Sequence, residues 1–172
     1  MRTRLLPIAF AAGCALLGSV ELDACGDKFL RMGQALRLGR APRPASILIY
    51  MQPDSLVPAA AKDLKLSAAM KQAGHRLHMV ERESDLETAL RSGAYDIVLG
   101  DVSAAALVRR AAHAAGPNPR FLPVFYKPTS QQLDAAAKQY GCFVAAPGKR
   151  YEILAEIDHV MEERRKAAKT PS

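Results

Sequence analysis

Asp101 is the residue whose type and position in this sequence best suit chemistry. It follows the apolar centre of the run YDIVLGDV at positions 95–102, where Ile97, Val98 and Leu99 are typical of a buried strand. In a parallel sheet, the carboxyl ends of the central strands are where ligands bind and reactions take place. A strand that ends in Asp101 therefore places a carboxylate where a functional acid would lie.

Strands and helices alternate regularly on both sides of this run. Strands are predicted at 46–51, 76–80, 95–102, 123–126 and 142–146, and helices at about 59–73, 84–92, 104–115, 129–140 and 151–166. The first strand is continuously apolar, as in strands buried on both faces, whereas 76–80 alternates as an edge strand does. Strict alternation predicts a doubly wound α/β fold of three layers, with a five-stranded parallel sheet between helices.

Short local signals predict where some elements begin. Ser84 with Glu87, and Thr129 with Gln132, have the spacing of a helix-capping box. Pro123 is predicted to be the first residue of the fourth strand, where its missing N–H is tolerated.

Length and composition indicate one globular domain. The chain has 172 residues, of which 49% are apolar and 24% charged, and both fractions are ordinary for a folded domain. The formal net charge is +7, with much of it outside the predicted domain and without interleaved aromatic residues. This distribution argues against a nucleic-acid partner.

Common catalytic and cofactor motifs are missing from the sequence. The loop QPDSLVP at 52–58 has no glycine pattern for dinucleotides or nucleotide phosphates, and no Gly-x-Ser-x-Gly elbow occurs elsewhere. The three cysteines match no zinc spacing, and His75 and His78 are expected to be surface residues. We therefore expect no enzyme, no metal and no cofactor.

From Ser46 to about Arg164 the chain resembles the receiver domain of bacterial response regulators. The resemblance depends on length, on the alternation and on DIVLGD at 96–101, which is similar to the third strand of that family. It implies a flavodoxin-like topology with strand order 2-1-3-4-5. It also implies that Asp101 occupies the position of the family's phosphoacceptor aspartate.

The acidic pair that binds Mg²⁺ in that family is not matched. Its positions after the first strand correspond to Met51 and Gln52, and Asp54 lies two residues later. Without those acids the metal site loses most of its affinity. We therefore expect Asp101 to be a vestigial phosphoacceptor that caps the following helix or bonds to the rim of the sheet.

The other two functional positions of the family are also changed. The hydroxyl after strand four would fall near Pro128, with Thr129 beside it, and the lysine before the proline after strand five becomes Ala146. Lys149 lies three residues farther on. The resemblance therefore implies a degenerate receiver domain.

The expected function is partner binding without catalysis. In active receivers, helix four, strand five and helix five form the usual docking face, and the resemblance extends this role to Tyr140, Phe143 and Tyr151. The partner protein is unknown. The alternative is a small-ligand-binding domain related to periplasmic solute-binding proteins, although those close two lobes over the solute. A phosphoaspartate receiver at Asp101 is the less favoured alternative.

Residues 1–24 have the pattern of a secretory signal. A basic start, MRTR, precedes an apolar run from 5 to 20 that is too short for a mature transmembrane helix. We expect an exported or periplasmic protein with its folded domain at 46–166 and a polar tail at 167–172.

Two incompatible modifications are predicted for Cys25. The run LDAC at 22–25 resembles a bacterial lipobox, so Cys25 is a candidate for lipidation. The run FAAGC at 10–14 is a poorer match that would place the lipid on Cys14. An oxidising compartment instead favours a disulfide between Cys25 and Cys142. One sulfur cannot do both.

A basic linker is predicted at 25–45. Its cations could each contribute about 1 kcal/mol of attraction to anionic lipid, and a solvated linker without membrane contact is the alternative. These cations are Lys28, Arg31, Arg37, Arg40 and Arg43.

Overall fold

The computed structural model describes residues 40–115 and 119–169. Five strands and six α-helices alternate along them, with a 3-10 turn at Val102–Ala104. The strands are β1 (Ser46–Tyr50), β2 (Arg76–Val80), β3 (Ile97–Asp101), β4 (Arg120–Tyr126) and β5 (Val144–Ala146). The helices are α1 (Val57–Asp63), α2 (Leu66–Gln72), α3 (Glu83–Ser92), α4 (Ala105–Ala115), α5 (Ser130–Tyr140) and α6 (Arg150–Lys169).

All five strands form one parallel sheet in the order β2-β1-β3-β4-β5. The central strand β3 pairs with β1 through Ile97 opposite Ile47, and with β4 through Asp101 opposite Val124. The predicted fold class and strand order are confirmed. This is the flavodoxin-like strand order, and Asp101 lies at the carboxyl end of the central strand.

Alternating residues of the strands bury two separate apolar cores. Ile47 and Ile49 face the core that α1, α2 and α6 complete. Leu48 and Tyr50 point to the opposite core, which α3 and α4 cover. Each fully buried Ile or Leu contributes about 1.5–3 kcal/mol relative to an exposed one, so both layers of helices are strongly held to the sheet.

The helix predicted at about 59–73 is two helices. Lys65, between α1 and α2, has a left-handed backbone with φ of 47°. Its neighbours Leu64 and Leu66 are each 2% exposed. Two residues that are two positions apart lie on different faces of a continuous helix, so the break allows both leucines to enter the core.

One capping prediction is wrong and the other is confirmed. α3 begins at Glu83, after an extended Arg82 that makes no side-chain cap, so Ser84 lies inside the first turn. Acids at the first turn, Glu83 and Asp85, favour this start through the helix dipole. Thr129 does cap α5 with Gln132 in a full capping box.

Pro123 lies inside β4, and its predicted place at the start of the strand is wrong. The Arg120 N–H bonds to the Asp96 carbonyl on the β3 side. Alternation then directs the Pro123 nitrogen to the other side, where β5 begins only at Val144, opposite Val124. The proline therefore removes no hydrogen bond from the ladder.

The end of the predicted linker contacts the domain. The Ala41 N–H bonds to the Ala73 carbonyl at 2.8 Å, and the Ala45 N–H donates to His75 Nδ1 at 3.0 Å. Arg43 forms an ion pair with Glu162 of α6. His75 is thus only 4% exposed, and its prediction as a surface residue is wrong because the Ala45 segment covers it.

Several sequence predictions lie outside the described residues. They include the signal at 1–24, Cys14, Cys25, Lys28, Arg31, Arg37 and the end of the tail at 170–172. Both predicted modifications of Cys25 therefore stay predictions. None of the described helices combines the length and apolar character that crossing a bilayer requires.

Candidate functional site

Asp101 ends β3 with its side chain turned toward the following backbone. Its Oδ1 accepts a hydrogen bond from the Ser103 N–H at 2.8 Å, and so caps the 3-10 turn that leads into α4. The predicted capping interaction is therefore present. One oxygen of the carboxylate is already engaged by its own chain.

The segment after β1 presents an apolar and a neutral polar residue beside this edge of the sheet. The Met51 N–H extends the ladder to the Val80 carbonyl at 2.7 Å, and the Met51 side chain packs against the core. The Gln52 carbonyl accepts hydrogen bonds from the N–H and the hydroxyl of Ser55, which close a turn. Neither Met51 nor Gln52 supplies a carboxylate, so these two positions lack the charge that would hold a divalent cation beside Asp101, and Asp54 is an exposed residue two positions later.

The segment at the end of β4 is fixed by contacts with α1 and among its own side chains. The Tyr126 hydroxyl donates to Asp63 Oδ2 at 2.8 Å, and this hydrogen bond raises the pKa of Tyr126. Lys127 has a left-handed backbone, and its Nζ lies 5.2 Å from the centre of the Tyr126 ring. The Thr129 hydroxyl accepts from the Gln132 N–H at 3.3 Å in the capping box. The one hydroxyl expected to replace the family's residue is thus occupied in starting α5.

The segment after β5 also turns its cation to a local partner. The Lys149 N–H bonds to Glu152 Oε2 at 3.0 Å, while Nζ lies 5.5 Å from the Tyr151 ring centre. A hydrogen bond with the Tyr151 hydroxyl raises the pKa of Lys149. Tyr151, which was predicted for the partner face, is therefore paired with Lys149. Lys149 is the lysine of this loop that could stand in for the one in the receiver family.

Tyr140 and Phe143 are placed along β4. Tyr140 meets Phe121 edge to face at 6.4 Å between ring centres, and Phe143 meets Phe125 in the same way at 5.8 Å. All four rings in these two contacts are partly exposed. The three aromatic residues predicted for the partner face each contact a different partner, and they border the same sheet edge as α5.

Helix α5 buries fewer side chains than the neighbouring helix α6. Ala136 is its one buried residue, whereas Leu133 is half-buried and Ala135 and Ala137 are exposed. Small apolar side chains on an exposed helix face leave room for a second surface to approach closely. The face formed by α5, β5 and the start of α6 is called the α5–α6 face below.

A shallow groove lies at the opposite edge of the sheet. It measures about 610 Å³ and runs between β2 and α3, where Arg82, Asp85 and Thr88 give it a polar lining. His78 forms one wall and makes a 2.5 Å hydrogen bond with the Tyr95 hydroxyl. The groove is open to solvent, unlike the enclosed apolar pockets that small ligands usually occupy.

One cluster was missed by sequence reasoning altogether. Cys142, His159 and Glu163 bring their potential ligand atoms within 4.8 Å of one another at the amino end of the sheet. The four-residue spacing of His159 and Glu163 on a helix was a visible signal. Their approach to Cys142 depends on how α6 packs beside β5, which no local pattern contains.

No protein-family profile matches this chain, and no curated protein matches it. Among solved structures, the chain is similar to a response regulator receiver domain protein (CheY-like) from Methanospirillum hungatei JF-1. The two share 13% identity with a TM-score of 0.49, over 73% of this chain and 99% of the other. At this identity the similarity concerns the fold and assigns no activity to this chain.

Proposed function

We propose that this chain is a non-catalytic receiver-like domain that binds a protein partner through its α5–α6 face. The observation that carries the proposal is the chemistry around Asp101. The acceptor position is retained, but Met51 packs against the core and the Gln52 carbonyl closes a turn where the family has acids.

Charge explains why Asp101 alone would be insufficient. A phosphorylated side chain carries about 1.5–2 negative charges and needs cations at hydrogen-bond distance. Lys127 and Lys149, in the loops after β4 and β5, both lie over aromatic rings, and Met51 and Gln52 offer no carboxylates to retain Mg²⁺. The phosphorylated state would therefore lack its counter-charges.

Partner binding is supported by the exposure of the α5–α6 face. α5 buries one residue, and the aromatic rings of Tyr140, Phe143 and Tyr151 are partly exposed around it. Aromatic side chains are enriched at the centres of protein interfaces. Loss of phosphotransfer leaves this docking surface chemically intact.

We further propose that the domain acts outside the cytoplasm. The support is the pattern of residues 1–24, with its basic start and apolar run. Export would also separate the domain from cytoplasmic kinases, and a domain that works through constitutive binding has no need of them.

Site-specific photo-crosslinking in the native cells tests the partner proposal. A photoreactive residue is introduced at Gln131 or Lys138 on the exposed side of α5, with Lys71 on α2 as the matched control. We expect one discrete adduct from both α5 positions and none from position 71. Equal adducts from all three positions, or none from α5, would contradict the proposed face.

The variant Asp101→Asn separates constitutive binding from phosphorylation-dependent binding. Asn caps a helix about as well as Asp does, so the turn at Ser103 is kept. The adduct should be unchanged in this variant. Its loss from a folded Asp101→Asn protein would instead favour a working phosphoacceptor.

A further inference from the structure

The strongest unassigned cluster lies at the amino end of the sheet, away from Asp101. His159 and Glu163 are one turn apart on α6, so they share a face of that helix. Cys142 precedes β5 and is 3% exposed, packed in the same core as Ile157 and Val160. The cluster therefore joins the buried start of β5 to the outer half of α6.

The distances suit a tetrahedral metal. His159 Nε2 and Glu163 Oε1 are 3.3 Å apart. Two ligands at the usual zinc distances of about 2.0–2.2 Å would be about 3.4 Å apart across a tetrahedral angle. The sulfur of Cys142 lies within 4.8 Å of the other ligand atoms. Because Zn–S bonds are about 2.3 Å long, a shift of about 1 Å would bring it to bonding distance.

We propose that Cys142, His159 and Glu163 bind Zn²⁺, with a water molecule completing the tetrahedron. A thiolate and an imidazole select zinc over the hard cations Mg²⁺ and Ca²⁺, which prefer oxygen ligands. Binding removes the proton of the Cys142 thiol to solvent and leaves His159 neutral. The thiolate and the Glu163 carboxylate then balance the two charges of the ion.

That balance matters because the site is partly buried. An uncompensated charge beside Cys142 would be expensive, whereas a neutral set of ligands and metal is not. The metal would enter from the solvent side, where the His159 and Glu163 side chains are 39% and 47% exposed. The buried sulfur closes the inner side of the site.

Arg120 has a supporting position. Its guanidinium lies 3.9 Å from Glu163 Oε2, the oxygen that does not face His159. Carboxylates that bind metals are commonly oriented by a second group on their other oxygen. Arg120 would thus fix the Glu163 rotamer, at the cost of some repulsion of the cation.

Zinc binding gives Cys142 an alternative to the disulfide predicted from the sequence. A bond to Cys25 would consume the same sulfur, so the metal and the disulfide exclude each other. The metal requires the reduced thiol, whereas an oxidised chain should bind no zinc at this cluster.

Cobalt substitution tests the proposal on the purified full chain. The protein is reduced, freed of metal with a chelator and titrated with Co²⁺, because a cobalt–thiolate bond gives a charge-transfer absorption in the near ultraviolet. We expect this absorption to saturate at equimolar Co²⁺ and to be displaced by Zn²⁺ but not by Mg²⁺. Zinc binding should release about one proton per ion near neutral pH.

Variants assign the ligands. Cys142→Ala should abolish the absorption, and His159→Gln and Glu163→Gln should each weaken Zn²⁺ binding below detection in a folded protein. The controls Cys25→Ser and His113→Gln should bind as the parent chain does. Far-ultraviolet circular dichroism reports the fold of each variant.

Three results would overturn the site. They are the absence of cobalt–thiolate absorption in the reduced chain, its survival in Cys142→Ala, and equal losses in His113→Gln and His159→Gln. The two ligand variants on α6 remain decisive if Cys142→Ala does not fold, because both residues are partly exposed.

Discussion

Asp158 provides a test of the packing of α6 against the segment before β1. Its Oδ1 is buried and has no hydrogen-bond partner among the described residues. Burial raises the pKa of Asp158 from 3.8 to about 6, although the nearby charge of Arg43 acts in the opposite direction. Replacement by Asn, which keeps the shape and removes the charge, should therefore stabilise the fold at neutral pH.

The magnitude follows from linkage between protonation and folding. A pKa difference of about two units corresponds to about 3 kcal/mol. Because Asp158 is only partly buried, screening by solvent reduces the expected gain to about 1–2 kcal/mol. The pKa is raised in the folded state, so the stabilisation from the neutral carboxyl is complete below pH 3.8. This stabilisation is lost as the pH rises to about 6. Above that pH the destabilisation of the fold by the buried carboxylate charge stays constant.

Urea unfolding of the parent chain and Asp158→Asn between about pH 4 and pH 8 measures this difference. The variant should gain stability relative to the parent as pH rises to about 6 and keep that gain above it. Asp134→Asn, on the exposed face of α5, controls for removal of an acid and should change stability by less than about 0.5 kcal/mol. A gain that is absent at pH 8, or largest at pH 4, would refute the buried state of the Asp158 carboxyl.

Three further predictions concern other parts of the chain. Gly148→Ala should lower the free energy of unfolding by about 1–3 kcal/mol, because a Cβ there would lie 2.7 Å from the Ala145 carbonyl oxygen; no loss in urea unfolding would contradict that contact. A fusion of residues 1–45 to alkaline phosphatase should be active outside the cytoplasm, and an inactive cytoplasmic fusion would refute export. Intact mass with and without reductant should show Cys25 either linked to Cys142, by the loss of two hydrogens, or carrying a diacylglyceryl group. We expect the disulfide in exported chains whose Cys142 holds no Zn²⁺, and a lipid-sized gain in mass would contradict it.

The sheet was predictable because its signals are local. The apolar run before Asp101, the alternation of 76–80 and the capping pair of Thr129 with Gln132 each lie within a few residues of sequence. Regular alternation then restricts a chain of this length to few topologies. The place of Asp101 at the carboxyl edge follows from them, whereas the strand order was implied by the resemblance to receiver domains.

The details that failed depend on contacts between distant segments. The break at Lys65 serves two leucines that both enter the core, and His75 is buried by a segment thirty residues before it. Pro123 is tolerated within β4 because the facing strand starts late. None of these causes is visible in a single window of sequence.

The cluster of Cys142, His159 and Glu163 at the amino end of the sheet shows the same limit for the prediction of functional sites. His159 and Glu163 are recognisable as a helix pair, but Cys142 joins them only through the packing of α6 on β5. Spacing rules for zinc sites search for ligands that are close in sequence. A site built from one strand entry and one helix face falls outside those rules.

The absence of phosphotransfer at Asp101 is the central claim for this domain, and mass spectrometry tests it most directly. The purified chain is incubated with acetyl phosphate and Mg²⁺, and in parallel with beryllofluoride, with Asp101→Asn as the control. We predict no gain in mass and no beryllofluoride-dependent change in melting temperature, because Met51 and Gln52, at the positions where the receiver resemblance implies acids, offer no carboxylate to hold Mg²⁺. A stoichiometric phosphoryl group on Asp101 that is lost in Asp101→Asn would contradict this account.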